Sequence, residues 1–494
     1  MDNLQLTIQR RNLVHRRTKI VATLGPTSTK PATLDALIQA GVDVFRINFS
    51  HGTHDTHAET FRLIREAVAR AARPVAVLAD LCGPKIRVGR FPGGPIFLNN
   101  GEKIIVTVRP VPGEPGLVPS EYPALARDVK PGDRILLADG TRELRVEAIE
   151  DTEITCTVIT GGSLSDRKGM NLPGVDISTP ALTEKDREDA AFAAKLGVDF
   201  MALSFVRTAD DLHQLRTLLT GLGHHIPIIA KIEKPEALEQ IGAILAASDG
   251  IMVARGDLGV EMAAEEVPLI QQELVRMAIE ANRPVIVATQ MLESMIESPS
   301  PTRAEVTDVA WAAMAGSDAV MLSGETAVGS YPVEAVATMN RVLRLVEGHQ
   351  WHTDLFEHLV KHANPATAQD GIDLQLNEAL ARATAQLSRE LSVRAIAVRA
   401  DTGFTARMIS AERPAAPILA FSAHERVCAQ LNLYWGVTPR WVRPEEAAEI
   451  DTCVAQLTRQ LKMLPEGDDR HFVLVVARAQ GEADLTPSLR ILLA

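Results

Sequence analysis

The sequence predicts an α/β fold: a (β/α)8 barrel with an inserted small β-barrel lid domain and a separate C-terminal α/β domain. Eight short apolar runs, most of them followed by a helical pattern, match the number of strands that closes a parallel barrel. Between the third and fourth runs lie roughly 120 residues, far more than a normal βα connection needs. Near the C-terminus five further apolar runs alternate with helical patterns, which is typical of a doubly wound domain.

The eight barrel runs are rich in Val, Ile, Ala and Met, as expected for strands that are buried on both faces of a parallel sheet. In order they read KIVATLG, VDVFRINFS, VAVLADL, FMALSFVR, PIIAKIE, GIMVARGDLG, PVIVATQM and AVMLSGE. A helix is expected between Pro31 and Gly41, since proline favours a helix start and glycine a helix end.

The domain limits follow from these patterns. We expect residues 1–17 to be an N-terminal extension, 18–87 and 171–345 the discontinuous barrel, 88–170 the lid, and 346–494 the C-terminal domain. The lid segment shows alternating strand patterns such as IFLNNGEKIIVTV, DRILLADGTRELRVEAIE and EITCTVITGG. Inserted after the third barrel strand, it would lie above the carboxyl ends of the strands and could act as a lid.

Composition narrows the function classes. The 494-residue chain is 46% hydrophobic and carries a net charge of −12, which disfavours nucleic-acid binding. No apolar stretch reaches the ~20 residues of a membrane helix, and the N-terminus is polar and basic, unlike a signal peptide. The four cysteines are dispersed, without metal-type pair spacing. We therefore expect a cytoplasmic protein that acts on small molecules, with no membrane and no nucleic-acid partner.

Polar residues end several of the barrel runs, where such barrels keep their active sites. Arg46, Asn48 and Ser50 alternate, so on a strand they would share one face. An Arg on that face suits a phosphate or carboxylate, which accepts its two parallel hydrogen bonds. A solvated Arg near a loop is the alternative, but three inward polar positions are costly to bury without a purpose.

A second group lies three strands further on. Lys231 and Glu233 share a face, and Glu233 with Asp257 offers two hard oxygen ligands from adjacent strands, which suits Mg²⁺ bound partly by substrate oxygens. A structural Lys–Glu ion pair and an Asp that only caps a helix remain open alternatives. Gly256 and Asp257 precede an expected helix whose first N–H groups could bind an anion. Thr289 could bind a carboxylate or relay a proton. The alternative is that this Thr has no such role, because Thr is common in buried strands for its β-propensity alone.

Nine strings resemble the pyruvate kinase family, closely and in the family's order, over residues 18–340. They are TKIVATLGP, RINFSHG, DLCGPKIR, KGMNLPG, AKIEK, DGIMVARGDLGVE, ATQMLESM, PTRAEVTDVA and MLSGETAVGSYP. The resemblance implies a barrel, a β lid inserted after its third strand and a C-terminal regulatory domain. It also implies phosphoryl transfer from phosphoenolpyruvate to ADP, which gives pyruvate and ATP in the last step of glycolysis.

By motif position, the resemblance assigns roles to individual residues. Arg46 would hold the phosphoryl group, and Lys231 would stabilise its charge in the transition state. Glu233 and Asp257 would bind one Mg²⁺, for which Mn²⁺ is an alternative, and a second metal ion would arrive on the nucleotide. The Gly256 and Asp257 backbone and the Thr289 hydroxyl would hold the substrate carboxylate near the proton route to the enolpyruvate carbon.

Three residues match nucleotide-contacting positions of the family, namely Arg87, Lys168 and His51. Lys168 is expected in the return strand of the lid, so that closure completes the site. Two rival functions are a Mg²⁺-dependent barrel lyase or aldolase acting on pyruvate and a non-catalytic metabolite-binding paralogue. A lyase has no need for Lys168, and a paralogue would not need the retained Lys231, Glu233 and Thr289.

One departure concerns the monovalent cation. Many family members bind K⁺ through groups equivalent to Asn48, Ser50, Asp80 and the carbonyl of Leu81, and they usually carry Glu where this chain has Lys85. An ammonium group can replace a monovalent cation and would repel one nearby. We expect that Lys85 supplies this charge and that K⁺ is not required; a surface Lys without that role is the alternative.

The C-terminal domain is expected to be regulatory. Thr402, Gly403 and Thr405 resemble the family's effector-phosphate loop, which indicates a phosphorylated allosteric effector, whereas the final AQGEADLTPSLRILLA departs from the usual Gly-rich loop. A weakly regulated enzyme is the competing interpretation. The resemblance also suggests a homotetramer.

Overall fold

The computed structural model describes residues 16–352, 372–448, 472–478 and 487–493. None of the helices in these ranges combines the length and the apolar character that crossing a bilayer requires. Most of the predicted N-terminal extension and the 479–486 part of the predicted C-terminal loop fall outside these ranges. The residue limits predicted for the domains stay a prediction.

The eight predicted barrel strands form one closed parallel barrel, which confirms the predicted fold class. Neighbouring strands pair in register, as in Val21 with Val44 and Ile229 with Gly250. Their residues are buried on both faces, which explains why their sequences are nearly continuous apolar runs. The strands are β1 Lys19–Thr23, β2 Val44–Asn48, β3 Ala76–Asp80, β12 Phe200–Leu203, β13 Ile228–Ile232, β14 Gly250–Ala254, β15 Val285–Ala288 and β16 Ala319–Leu322.

Aspartates fix the amino ends of alternate barrel strands. Each directly precedes its strand, accepts a backbone N–H from the strand before it and pairs with an arginine. The four sets are Asp43 with Ile20 and Arg73, Asp199 with Val77 and Arg65, Asp249 with Ile228 and Arg216, and Asp318 with Val285 and Arg413. The bottom of the barrel is thereby tied together, which leaves the carboxyl ends of the strands free for chemistry.

Helices surround the barrel. Pro31–Ala40 begins at the predicted proline and ends at Gly41, whose φ of 122° favours glycine. Three longer helices begin with a Thr in a capping box, namely Thr53, Thr183 and Thr302. The remaining helices are His54–Ala71, Glu184–Leu196, Ala209–Gly221, Pro235–Glu239, Ile241–Ala247, Arg255–Glu261, Val267–Glu280, Arg303–Met314, Gly324–Ala327 and Pro332–His352, with a 3₁₀ turn at Glu293–Ile296.

The insertion after β3 is a small β domain with its own core. A six-stranded sheet runs in the order β11-β7-β8-β9-β5-β6, and β10 pairs with β4. A short helix, Leu125–Asp128, was not predicted. Lys168 lies in the connection between β10 and β11, so its placement in a strand was wrong. The strands are β4 Ile96–Leu98, β5 Lys103–Thr107, β6 Leu117–Pro119, β7 Arg134–Leu137, β8 Arg142–Glu150, β9 Glu153–Thr160, β10 Gly162–Leu164 and β11 Met170–Asn171.

The C-terminal domain has a five-stranded sheet in the order β19-β18-β17-β20-β21, in which β21 alone is antiparallel to its neighbour. All five predicted runs contribute a strand. The strands are β17 Ala395–Arg399, β18 Ile418–Ser422, β19 Val437–Trp441, β20 Phe472–Arg478 and β21 Pro487–Leu493, and the helices are Ile372–Glu390, Phe404–Ala411, Glu425–Leu431 and Pro444–Ala448. This domain packs against the amino ends of the barrel strands, where Arg413 pairs with Asp318 at 2.9 Å.

Candidate active site

Arg46 and Asp80 form a buried ion pair at the carboxyl ends of β2 and β3. Arg46 Nε donates to Asp80 Oδ2 at 2.6 Å, and Nη1 donates to Thr23 Oγ1 at 3.0 Å. Burial alone would raise the pKa of Asp80, but the charges of Lys231 and Arg46 outweigh it and lower the pKa. The guanidinium is thus held at one angle, and its Nη2 makes no hydrogen bond to the part of the chain that the structure describes, so it can bind an anion.

Lys231 lies at the centre of the site. Its Nζ is 2.7 Å from Ser204 Oγ, 2.9 Å from Glu233 Oε1 and 3.4 Å from Asp80 Oδ1. Burial would lower the pKa of Lys231, yet the two carboxylates outweigh it and raise the pKa above its usual value. The amine therefore stays cationic at neutral pH, as stabilising a transferring anionic group requires.

Glu233 follows β13 directly and is 1% exposed. Its Oε2 accepts the backbone N–H of Phe205 at 2.7 Å. Burial raises the pKa of Glu233; Lys231 opposes this shift, whereas the nearby charge of Asp257 adds to it. Within the described residues no three His, Cys, Asp or Glu side chains converge to hold a metal by themselves. Two mutually repelling carboxylates do fit a Mg²⁺ ion that takes its other ligands from substrate and water.

The helix Arg255–Glu261 begins directly at the end of β14, earlier than the sequence suggested. Gly256 and Asp257 therefore lie in its first turn, and Asp257 is not the capping residue, because the cap position is Ala254. The N–H of Gly256 donates to Thr289 Oγ1 at 2.8 Å. The structure thus brings the predicted carboxylate-binding groups of two neighbouring strands together.

Thr289 has a strained backbone, with φ of 67° in a β-branched residue, and the next residue, Gln290, is at 53°. Arg255 holds this turn: its Nη2 donates to the carbonyl oxygens of Thr289 at 2.6 Å and Gln290 at 3.1 Å. Its Nη1 contacts both oxygens of Asp308 at 2.6 Å. The Thr289 hydroxyl, which donates to the Ala288 carbonyl at 2.6 Å, is thereby fixed in position.

The residues predicted to surround a monovalent cation occupy two neighbouring strand ends. Asn48 ends β2, and its Oδ1 accepts the N–H of Ser50 at 3.1 Å, so the chain turns before Ser50 and the shared strand face ends at Asn48. The carbonyl of Leu81 accepts the Ser204 hydroxyl at 2.7 Å. Lys85 is exposed, and its ammonium has no ion pair within 4 Å in the described part of the chain.

The nucleotide-side residues lie around the base of the lid. Arg87 forms an isolated bridge with Gly169, and its Nη1 donates to the Arg167 carbonyl at 3.1 Å. Lys168 is exposed, and its carbonyl accepts the N–H of Val88 at 2.9 Å. Burial and then the charges of Arg87, Lys85 and Arg46 lower the pKa of His51. His51 is therefore close to the same group of cations.

The predicted effector loop lies in the C-terminal domain, which packs against the amino ends of the barrel strands, whereas the candidate active site lies at their carboxyl ends. Gly403 has φ of 77° and occupies the cap position of helix Phe404–Ala411. Thr402 Oγ1 accepts the N–H of Phe404 at 3.4 Å. Thr405 lies in the first turn of this helix and is partly buried.

Sequence reasoning missed three residues that hold the site. Thr23 and Ser204 anchor Arg46 and Lys231, and Arg255 fixes the turn at Thr289. The available signal was that each follows or ends an apolar run, as the identified residues do. Glu325, which ends the last run, has both oxygens occupied by backbone N–H groups, those of Leu292 at 3.0 Å and Ser323 at 2.7 Å.

Comparison with known proteins gives matches along most of the chain. The family described as pyruvate kinase, barrel domain, matches residues 15–336, and the one described as pyruvate kinase, alpha/beta domain, matches 378–492. A pyruvate kinase of Corynebacterium glutamicum is 44% identical over 94% of this chain and 94% of its own. One of Mycobacterium tuberculosis is 43% identical over 94% and 95%, and one of Geobacillus stearothermophilus is 45% identical over 85% and 71%.

Proposed function

Because the chain belongs to the pyruvate kinase family, we propose that it transfers a phosphoryl group from phosphoenolpyruvate to ADP with Mg²⁺, giving pyruvate and ATP. The observation that carries this proposal is the ammonium of Lys231, held between Ser204, Asp80 and Glu233 at the carboxyl end of the barrel. Phosphoryl transfer needs positioning and charge neutralisation more than covalent help, and this site offers both.

Glu233 and Asp257 would hold the Mg²⁺ ion. The raised pKa of Glu233, caused by burial and in part by the charge of Asp257, supports this assignment, because a divalent cation would relieve the repulsion. The ion would neutralise charge on the substrate oxygens. Mn²⁺, which also takes oxygen ligands, would substitute for Mg²⁺.

The phosphoryl group would lie between Arg46 and Lys231. Asp80 and Thr23 hold the guanidinium of Arg46 in one orientation, so it would bind the phosphoryl group without first reorganising. Lys231, kept charged by its carboxylate neighbours, would stabilise the charge that spreads over the phosphoryl oxygens during transfer.

The substrate carboxylate would bind at the start of helix Arg255–Glu261. The N–H groups of Gly256 and Asp257 and the hydroxyl of Thr289 would be the donors there. Gly256 now donates to Thr289 and Thr289 to the Ala288 carbonyl, so the carboxylate would take over these two hydrogen bonds. Thr289 would then stand next to the carbon that takes up a proton after transfer.

The nucleotide would bind under the lid, through Arg87, Lys168 and His51. Arg87 and Lys168 belong to the two chain segments that connect barrel and lid, joined by the bridge from Arg87 to Gly169. Movement of the lid would therefore shift the side chains of Arg87 and Lys168 relative to the barrel, and closure would complete the nucleotide site.

Lys85 would take the place of K⁺ beside Asn48, Ser50, Asp80 and Leu81. Its charge contributes to the lowered pKa of His51, the neighbour of Ser50, which supports a position close to this region. We expect the enzyme to work in K⁺-free buffer and the Lys85→Glu variant to need added KCl. A large activation of the unaltered enzyme by KCl would refute this assignment.

Two further expectations concern assembly and regulation. Large apolar side chains stay exposed on neighbouring outer helices, with Trp311 at 44%, Met314 at 37% and Leu345 at 38%, which supports burial in a homotetramer. The loop at Thr402, Gly403 and Thr405 would bind a phosphorylated effector. Sedimentation velocity tests the homotetramer, and titrating sugar phosphates and AMP at subsaturating phosphoenolpyruvate tests the binding of a phosphorylated effector.

The dispersed free cysteines support a cytoplasmic location.

The decisive experiment measures pyruvate formation by the purified protein with phosphoenolpyruvate, ADP and Mg²⁺. We expect turnover that depends on ADP and on the metal. Pyruvate formed without ADP would favour the lyase alternative, and binding without turnover would favour a metabolite-binding paralogue.

A further inference from the structure

Glu261, the last residue of helix Arg255–Glu261, joins three parts of the molecule. Its Oε1 accepts a hydrogen bond from Asn171 Nδ2 at 3.1 Å and one from Lys234 Nζ at 2.7 Å. Asn171 lies on β11 of the lid, and Lys234 follows the end of β13 in the barrel. One carboxylate therefore contacts the lid, a barrel strand end and the helix that begins the candidate substrate site.

The fold alone does not account for this carboxylate. The side chain of Glu261 is 1% exposed and that of Lys234 is 6% exposed. Oε2 of Glu261 is also buried, without a hydrogen-bond partner among the described residues. An orphaned buried acceptor and a negative charge at a helix carboxyl end both cost stability. Apolar residues of similar size would serve packing at least as well, so packing does not explain why a charged pair is buried here.

The lid meets the same end of the helix at a second point. Gly140 lies in the turn between β7 and β8 of the lid, with φ of 78°. A Cβ atom at Gly140 would lie 3.4 Å from Cγ1 of Val260, the neighbour of Glu261. The lid turn thus lies close to Val260, and the lid return strand contacts Glu261 through Asn171.

We propose that Glu261 is a positioning residue that couples the lid to the substrate-binding turn through its hydrogen bond with Asn171. The inference rests on the proposed function. The helix is a short rigid element, so holding its last residue also fixes its first turn, which carries Gly256 and Asp257. A nucleotide that draws the lid into place thereby orders the groups that receive the substrate carboxylate. The Lys234 pair ties Glu261 to the barrel, so the hydrogen bond with Asn171 is the one that changes when the lid moves.

The coupling can be measured without turnover. Oxalate, a dianion with the shape of the pyruvate enolate, serves as the probe, and its affinity is measured by calorimetry with Mg²⁺ alone and then with saturating Mg-ATP. We expect Mg-ATP to tighten oxalate binding by about fivefold or more in the unaltered enzyme, the usual range for coupled sites. In Asn171→Ala this ratio falls towards one, while the affinity for oxalate with Mg²⁺ alone stays within about twofold of the unaltered enzyme.

A matched control lies in the same domain. Asn99 also donates from its amide to a glutamate, Glu102 Oε2 at 3.0 Å, but both residues belong to the lid. Asn99→Ala should keep the full coupling ratio. Asn171→Leu, which keeps a side chain of similar size and removes the amide that donates to Glu261, repeats the test should the alanine variant be poorly folded.

Each possible result either supports or overturns the proposed coupling. Loss of the ratio in the Asn171 variants but not in Asn99→Ala supports the proposal. A ratio near one in the unaltered enzyme, an unchanged ratio in the Asn171 variants, or an equal loss in the control overturns it. Because binding is measured, an enzyme that forms no pyruvate would refute the proposed function separately from this coupling.

Discussion

Arg255 Nη2 donates a hydrogen bond of 2.6 Å to the carbonyl oxygen of Thr289, a residue held at a φ of 67°. A β-branched residue adopts this conformation only where its surroundings impose it. The same guanidinium is anchored on Asp308, so helix Arg303–Met314 supports the turn from behind. The backbone conformation of Thr289, the proposed carboxylate-binding residue, therefore depends on Arg255.

Replacing Arg255 by Met should release this turn. We expect kcat to fall by about 10- to 100-fold, because small misplacements of reacting groups have effects of that size. The KM for phosphoenolpyruvate should rise with it, and both are measured in the coupled pyruvate assay. Arg62→Met is the control, since Arg62 pairs with Glu59 on an exposed helix face. A kcat within about twofold of the unaltered enzyme would contradict the positioning role.

Lys231→Met tests charge stabilisation in the transition state. We expect kcat to fall by about 1,000-fold or more, the scale on which a single cation acts in phosphoryl transfer. Oxalate should still bind through the groups at Gly256 and Thr289. Lys103→Met serves as the control, because the Lys103 side chain is 69% exposed and, among the described residues, its only ion pair is with Glu147 on the lid. Retention of a tenth of the activity or more would show that another group carries this role.

The sequence predicts the barrel well, for a physical reason. Strands buried on both faces must be apolar throughout, so all eight stand out, and polar residues at their ends are conspicuous. Arg46, Lys231 and Glu233 were found in this way, and the structure brings Lys231 within 2.9 Å of Glu233. The start of helix Arg255–Glu261 was placed too late, because its two glycines lower helix propensity.

Other parts of the site carry only a weak local signal. Thr23 ends an apolar run and Ser204 follows one, but a Thr in a strand usually reflects β-propensity alone, and only the fold reveals that these two residues hold Arg46 and Lys231. The contact between Asn171 and Glu261 joins residues far apart in the chain, and a Glu at a helix end usually faces water. Such contacts depend on how the lid sits on the barrel, which periodicity does not encode.

The buried pair of Arg413 and Asp318 should hold the C-terminal domain on the barrel. The guanidinium contacts both carboxylate oxygens, at 2.9 and 3.2 Å, and Trp435 N–H donates to Oδ1 at 3.0 Å. Arg413→Met leaves a buried carboxylate without its cation and should lower the free energy of unfolding by about 3–5 kcal/mol. Urea denaturation measures this. Arg443→Met, which removes an exposed pair with Glu446, should leave the free energy of unfolding nearly unchanged.

Lys19 should make stability depend on pH at the same boundary between domains. Its ammonium donates to the Val437 carbonyl of the C-terminal domain, and burial lowers its pKa from 10.5 to about 8, although Asp43 opposes the shift. Between pH 8 and 10.5 the unfolded chain therefore binds more protons at this site than the folded protein does. The contribution of Lys19 to the free energy of unfolding should rise with pH across this window.

The measurement compares urea midpoints of the unaltered enzyme and Lys19→Met from pH 7 to pH 10. Subtracting one series from the other cancels the titration of all other groups. We expect the unaltered enzyme to gain stability relative to the variant above pH 8, by a total on the order of 3 kcal/mol. Lys195→Met, which changes an exposed lysine, should give a flat difference. A flat difference for Lys19→Met as well would mean that this amine titrates alike in the folded and unfolded chain.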